Sequence, residues 1–263
     1  MIFDTHAHYD SEEFDRDREA LIASLSAQGV GRVCNIGASY DGAKKSAELA
    51  RRYPFFYAAV GIHPDECGQM EDSWLSELEK LAVEKKVVAI GEIGLDYHGF
   101  DVYPDKVDKE TQKHWFKKQL DLAIALDMPV VIHSRNAAED TLCMMKEAHD
   151  AGLKSGIIHC FSYSQETARE YVRMGFYLGL GGVVTYEGQK KLTKVLAAVP
   201  LSQIVLETDC PYLAPVPHRG ERNNSTYLAY VRDRIAELKG VSPEEIERVT
   251  WENACRVYGI ADV

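Results

Sequence analysis

Short apolar runs alternate with longer amphipathic stretches eight times along this chain, and that rhythm leaves few architectures open. The runs begin near Ile2 (IFDTHAH), Val30 (VGRVCNIG), Phe55 (FFYAAVGIHP), Val87 (VVAIGEIGLD), Pro129 (PVVIHSR), Ser155 (SGIIHCFS), Phe176 (FYLGLGG) and Ile204 (IVLETDCP). Between them, stretches such as DREALIASLSAQ, WLSELEKLAVEK and QKHWFKKQLDLAIAL space their apolar residues three and four apart, the helical period. Brief, almost wholly apolar runs predict strands buried on both faces, and alternation with helices makes those strands parallel. Eight such units in 263 residues predict a (β/α)8 TIM barrel. The competitor is a doubly wound open sheet, which usually has fewer strands and a glycine-rich turn after the first; here the first run ends in histidines. No linker or low-complexity segment interrupts the pattern, so residues 1–263 are expected to form one barrel domain.

In such a barrel the active site lies at the C-terminal ends of the strands. Those ends carry His6 and His8, then Glu92, His133, His159 and Asp209. These are the ligand types that borderline divalent cations accept. A lone histidine at a strand end is usually a satisfied polar residue. Packing, however, gives no reason for six ligand-type residues at one end of five strands. Six ligands exceed the needs of one tetrahedral ion, so a pair of divalent cations is expected, with Glu92 as the bridge. Asp209 is the candidate for metal binding, for accepting the proton of an attacking water, or for both. Glu92 and Asp209 are thus the candidate catalytic carboxylates. A binding module with structural metals is the non-enzymatic alternative, but structural zinc sites are closed and usually cysteine-rich.

Thirty Lys and Arg against 41 Asp and Glu give a net charge of −11. That balance argues against a protein that coats nucleic acid through its whole surface, because such binding is built on basic residues. It leaves open an enzyme that meets phosphates through cations and a few arginines. The six cysteines form no CxxC pair, no apolar run approaches the roughly 18 residues of a membrane span, and no signal peptide is evident at the N-terminus. A cytoplasmic location without an obligate protein partner is the expectation.

Four segments, IFDTHAHYD, GEIGLDYH, PVVIHSRNAAED and VLETDCPYLAPVPHRG, together with the closing WENACRVYG, resemble the signature segments of the TatD family of metal-dependent DNases. That family is similar to the amidohydrolase superfamily of barrel hydrolases. The resemblance implies a (β/α)8 fold and one to three divalent cations of uncertain identity (Zn, Mn, Mg, Co or Ni). It also implies ligands at His6, His8, Glu92, His133, His159 and Asp209. The implied activity is hydrolysis of DNA phosphodiester bonds by a metal-activated water, in some members as a 3′-to-5′ exonuclease acting on single strands or ends. The alternative is an amidohydrolase-like hydrolase of a small ester, lactone or phosphate.

Three residues are candidate substrate contacts. His63 in GIHPD either meets substrate or starts a turn before Pro64. Arg135 either grips a phosphate bidentately or pairs with Asp96 or Glu139. Arg219 lies in the loop PHRGERNNS, which with His218, Arg222 and Asn223 offers a small polar lip. An acidic Glu221, where TatD relatives often have lysine, weakens that lip. Asp4 and Glu207 are expected to point into the barrel beneath the ligands and to accept from imidazole N–H groups. Cys160 and Cys210 should face away and pack as small apolar residues, and Trp115 and Phe116 should be helix core.

Overall fold

A computed structural model describes residues 1–261 apart from 101 and 104. The eight apolar runs are eight strands: β1 (Ile2–Ala7), β2 (Val30–Ile36), β3 (Phe56–Val60), β4 (Val87–Asp96), β5 (Val130–Arg135), β6 (Gly156–Ile158), β7 (Tyr177–Leu180) and β8 (Ile204–Leu206). They pair in parallel and in sequence order. The ring closes where Ala7 bridges Cys210, with His8 N–H donating to Cys210 O at 2.8 Å and Asp209 N–H to His6 O at 2.9 Å. The result is the (β/α)8 barrel that the alternation predicts.

Helices α1 (Arg18–Leu25), α2 (Tyr40–Arg52), α3 (Asp72–Ala82), α4 (Lys109–Ala125), α5 (Ala138–Asp150), α6 (Gln165–Arg173), α7 (Lys190–Ala198), α8 (Leu228–Lys239) and α9 (Pro243–Val257) follow the strands. Several begin at side-chain caps that satisfy an otherwise unpaired N–H. Ser39, Asp108, Ser164 and Ser242 accept from Gly42, Thr111, Thr167 and Glu245 respectively.

Alternation along the strands sorts the core into two layers. Val131, Ile157, Tyr177 and Val205 fill the lumen with Ala254, Val257 and Tyr258 from the end of α9. Ile132, Ile158, Leu178 and Leu206 pack outward against Phe116, Met145, Tyr171 and Ile235 of the helices. Phe116 is buried in that outer layer and Trp115 packs at its edge, as expected. Tyr258 plugs the N-terminal end of the barrel, its hydroxyl donating to Thr5 O at 2.7 Å. With one end sealed by apolar side chains, polar residues collect at the other.

Of the register shifts along the barrel, two bear on its mouth. They fall between Asp4 and Ala7 on the β1–β2 seam and between Ile90 and Ile93 on the β4–β5 seam. An extra residue of this kind re-aims the side chains beyond it. His6 and Glu92 lie within those two irregular stretches.

Candidate metal centre

His6 is the penultimate residue of β1 and His8 lies just past it; Glu92 lies in the irregular part of β4, His133 in β5, His159 just past β6, and Asp209 three residues past β8. All six come together at the C-terminal mouth. Their atoms fall into two groups that share one carboxylate.

The first group is His6 Nε2, His8 Nε2, Glu92 Oε2 and Asp209 Oδ1. The two imidazole nitrogens lie 3.1 Å apart. The nitrogen-to-carboxylate separations are 3.5 and 3.6 Å from His6 and 3.7 and 3.4 Å from His8. A tetrahedral cation with bonds of about 2.0–2.2 Å needs donors roughly 3.3–3.6 Å apart. The donor set therefore fits a small divalent ion in both chemistry and size. His8 Nδ1 lies 2.9 Å from Ile36 O, a contact that makes Nδ1 the protonated nitrogen and leaves the Nε2 lone pair free.

The second group gathers around the other oxygen of Glu92. His133 Nδ1 lies 2.8 Å from Glu92 Oε1, and His159 Nε2 lies 3.9 Å from Oε1 and 3.7 Å from Asp209 Oδ1. The His63 ring stands edge-on to His133 with centroids 4.3 Å apart, and His63, Glu92 and His133 have donor atoms close enough to share an ion.

The electrostatics match a site built for positive charge. Burial works against ionising every one of these groups, yet most remain charged because the opposite sign is adjacent. Burial lowers the pKa of His8 and His133, but carboxylates beside them reverse the effect and raise both to about 9: Asp209 and Glu92 for His8, Asp96 and Glu92 for His133. His159, also buried, is raised to about 10 by Glu207 and Asp209. Glu92 and Asp209 are held below the usual carboxylate range by the surrounding imidazoles, despite burial. His6 is the exception, pushed down by burial and by the neighbouring charge of His159.

Glu207 lies beneath the two groups, fully buried. Its Oε1 accepts from Cys160 N–H at 2.6 Å and lies 3.0 Å from His159 Nδ1. That second approach has hydrogen-bond length without hydrogen-bond alignment, so His159 Nδ1, His6 Nδ1 and Glu207 Oε2 are all left without a hydrogen bond. Gly179 makes the space: a Cβ there would stand 2.1 Å from Glu207 Oε2. Glu207 thus lies beneath the candidate ligands, as expected, although no imidazole N–H is hydrogen-bonded to it.

Asp4 departs from its expected role. Its carboxylate accepts from His6 N–H, from the N–H and hydroxyl of Thr208, and from the Ser225 hydroxyl at 2.6–3.3 Å, and meets no ligand imidazole. The register shift after Asp4 breaks the alternation that would have set it on the His6 face. Burial raises its pKa to about 7 against the pull of those donors. Asp4 fastens β1 to β8; it does not orient a ligand.

The cavity over the centre measures about 550 Å³ and is lined by His8, Asp10, Ser11, His63, Asp65, Asp96, Arg135 and Tyr212, among others. His63 faces it with a pKa lowered to about 4 by burial and by His133. Arg135 is exposed and, among the described residues, pairs with neither Asp96 nor Glu139 nor any other carboxylate. Asp96 is instead engaged by His133 at 3.2 Å and by Lys106 at 3.0 Å. Arg219 lies outside the cavity lining, its guanidinium 4.5 Å over the Tyr186 ring. Two residues of the lip are structural: Arg222 pairs with Asp17 at 2.6 Å, and buried Asn223 donates to Thr208 O and Tyr212 O. Cys210 packs in an apolar cluster as expected, while Cys160 is half-buried beside Glu207. Sequence reasoning passed over Asp10, Lys106 and Tyr212. Asp10 and Tyr212 could have been found, since each lies within three residues of a candidate ligand.

A family model described as TatD related DNase matches residues 3–259. The chain belongs to the TatD family. YabD of Bacillus subtilis, described as an uncharacterized metal-dependent hydrolase, is 42% identical over 99% of this chain and 100% of its own length. A Cronobacter sakazakii relative named 3′-5′ ssDNA/RNA exonuclease TatD is 34% identical, with 98% and 97% covered. The crystal structure of YjjV, a TatD homologue from Escherichia coli K12, superposes with a TM-score of 0.90 at 32% identity, covering 99% of this chain and 98% of that one. This TatD-family chain is accordingly a metal-dependent hydrolase. Among the described residues, no helix is long and apolar enough to cross a membrane.

Proposed function

We propose that this TatD-family hydrolase cleaves DNA phosphodiester bonds, removing nucleotides from 3′ ends presented as single strands. The observation that carries the reading is the division of Glu92, with Oε2 toward His6 and His8 and Oε1 toward His133. That division would suit two divalent cations, one that His6, His8, Glu92 and Asp209 would hold and another that Glu92, His133 and His159 would hold. Imidazole-rich sets suit zinc, manganese, cobalt or nickel, while carboxylates and phosphate oxygens also accept magnesium. When bound, such a pair supplies Lewis-acid activation of a water and neutralises charge on the phosphoryl oxygens.

The chain's own groups do the rest. Asp209, ionised beside three imidazoles, accepts the proton released as the water attacks. Arg135 offers two parallel N–H donors to a non-bridging phosphate oxygen pair, and His63 contacts the same phosphate from the facing loop. Arg219, further out, meets the backbone as it leaves the mouth. The relative named as a 3′-5′ ssDNA/RNA exonuclease supports both the polarity and the preference for unpaired strands. Six free thiols suit a reducing compartment, and we place the protein in the cytoplasm. A second reading, hydrolysis of a small ester or lactone, draws on the net charge of −11.

One assay separates them. Metal-free protein is incubated with end-labelled single- and double-stranded DNA while each divalent ion is added back. Ion-dependent shortening from the 3′ end, faster on single strands, is expected. Intact DNA with every ion, alongside turnover of a small ester that excess single-stranded DNA fails to inhibit, would overturn the nuclease reading.

A further inference from the structure

Tyr212 is 54% exposed, yet it lines the cavity over the metal centre. Its ring makes no ring contact, and its hydroxyl no hydrogen bond, among the described residues. An exposed side chain is ordinarily mobile, but the backbone beneath this one is pinned. Tyr212 N–H donates to Asp209 O at 2.8 Å, and Tyr212 O accepts from Asn223 Nδ2 at 2.7 Å. Asn223 is fully buried, donates also to Thr208 O at 2.9 Å, and sends its own N–H to Pro211 O at 3.0 Å. Asp209 and Tyr212 therefore share one pinned turn, which sets the Tyr212 Cα at a fixed place beside the candidate centre and leaves its ring free to turn onto a ligand in the cavity.

The charge around the ring selects what can lie on it. Burial raises the Tyr212 phenol, and the carboxylates of Glu13, Asp209 and Asp10 add to the effect. A phosphate placed against that acidic wall would be repelled; the neutral face of a base would not. Across the barrel, on the β3–β5 side, the wall carries the exposed Arg135, which has no ion pair among the described residues, while Asp65 and Asp96 are both engaged by Lys106. The cavity thus has a cationic side suited to backbone phosphate and an aromatic, acidic side suited to a base.

We propose that Tyr212 is a stacking platform for the base next to the scissile phosphate, holding that base once it has left its stack. This rests on the phosphodiesterase reading and specifies its substrate. A base within a duplex is stacked on both faces and cannot use the platform without paying the cost of unstacking.

The test uses the full chain loaded with whichever ion supports hydrolysis. The substrate is a single-stranded oligonucleotide ending in 2-aminopurine, with an otherwise identical one ending in an abasic nucleotide. Tyr212→Leu removes the π-face at similar volume, and Tyr212→Phe keeps it. Base–aromatic stacking energies predict that Tyr212→Leu raises KM on the 2-aminopurine substrate by about 5- to 150-fold. It should also abolish the quenching of 2-aminopurine on binding, and leave the abasic substrate cut as by the unsubstituted chain. Tyr212→Phe should behave as wild type throughout. Hydrolysis with an unchanged KM in Tyr212→Leu would overturn the platform alone. Quenching that depends on Tyr212 without any hydrolysis would uphold the platform and overturn the nuclease reading.

Discussion

Orphaned polar atoms locate the support beneath the metal centre at the scale of single residues. His6 Nδ1, His159 Nδ1 and Glu207 Oε2 are buried together without hydrogen bonds. An imidazole that gives its Nε2 lone pair to a cation carries its proton on Nδ1 and needs an acceptor there. Glu207 Oε1 lies 3.0 Å from His159 Nδ1, and Glu207 has a carboxylate oxygen within 4.8 Å of a ring nitrogen of His6, so a small rotation of this one carboxylate would supply the acceptor. Glu207→Gln should weaken cation binding by about 10- to 100-fold, measured by calorimetric titration of metal-free protein; an unchanged affinity would reject this role. Asp4→Asn should leave that affinity in place, because Asp4 meets Thr208 and Ser225 and no ligand ring. The contrast also marks what a reader of the sequence can see. Six ligand-type residues stand out because each lies at or near the end of a mostly apolar run. The orientation of Asp4 is hidden, because it depends on a register shift decided by pairing with β2. The Arg222–Asp17 pair is hidden too, spanning 205 residues of sequence.

Strands act here as spacers, and small residues on them keep the distances. β7 contributes no ligand, yet Gly179 at its centre is what admits the Glu207 carboxylate. Gly179→Ala would force a Cβ to 2.1 Å from Glu207 Oε2, so either the carboxylate or the strand must move. The expected outcome is a loss of about 1–3 kcal/mol of stability, as for other overpacked cores, together with weaker cation binding. Denaturant unfolding and metal titration on the same variant check both. Stability loss with undiminished affinity would show that Glu207 can shift without consequence. β4 uses the same device: a Cβ on Gly91 would meet the Val131 Cβ at 2.6 Å, so β4 and β5 approach closely where Glu92 turns into the lumen. Strand identity and order were legible from the apolar runs. These close approaches were not, since a glycine in a strand reads equally as a weak spot.

The barrel as a whole concentrates charge at one end, and its stability should report that charge. His8 and His133 are raised to about 9 and His159 to about 10. A raised pKa stabilises the fold fully below the unfolded value, about 6.5 for histidine, and that gain disappears as pH climbs through 9 to 10. Glu92 and Asp209 are depressed, so their contribution is present above about 4 and is lost as pH falls further. His6 and His63, lowered by burial, work the other way and withdraw stability as pH falls below about 6.5, so metal-free protein should be most stable at about pH 6 and weaken steadily on the alkaline side. Cations must displace those imidazole protons, so the increase in Tm on adding a divalent ion should grow as pH rises from 6 to 8. Calorimetry across that range, with and without the ion, checks the sign; an increase that shrinks with pH would contradict it.

The most direct measurement is anomalous diffraction from crystals grown with Mn²⁺. The account predicts two ions roughly 3.5–4 Å apart, one held by His6, His8 and Asp209, the other by His133 and His159, with Glu92 between them. An empty mouth, or ions bound away from those side chains, would contradict it.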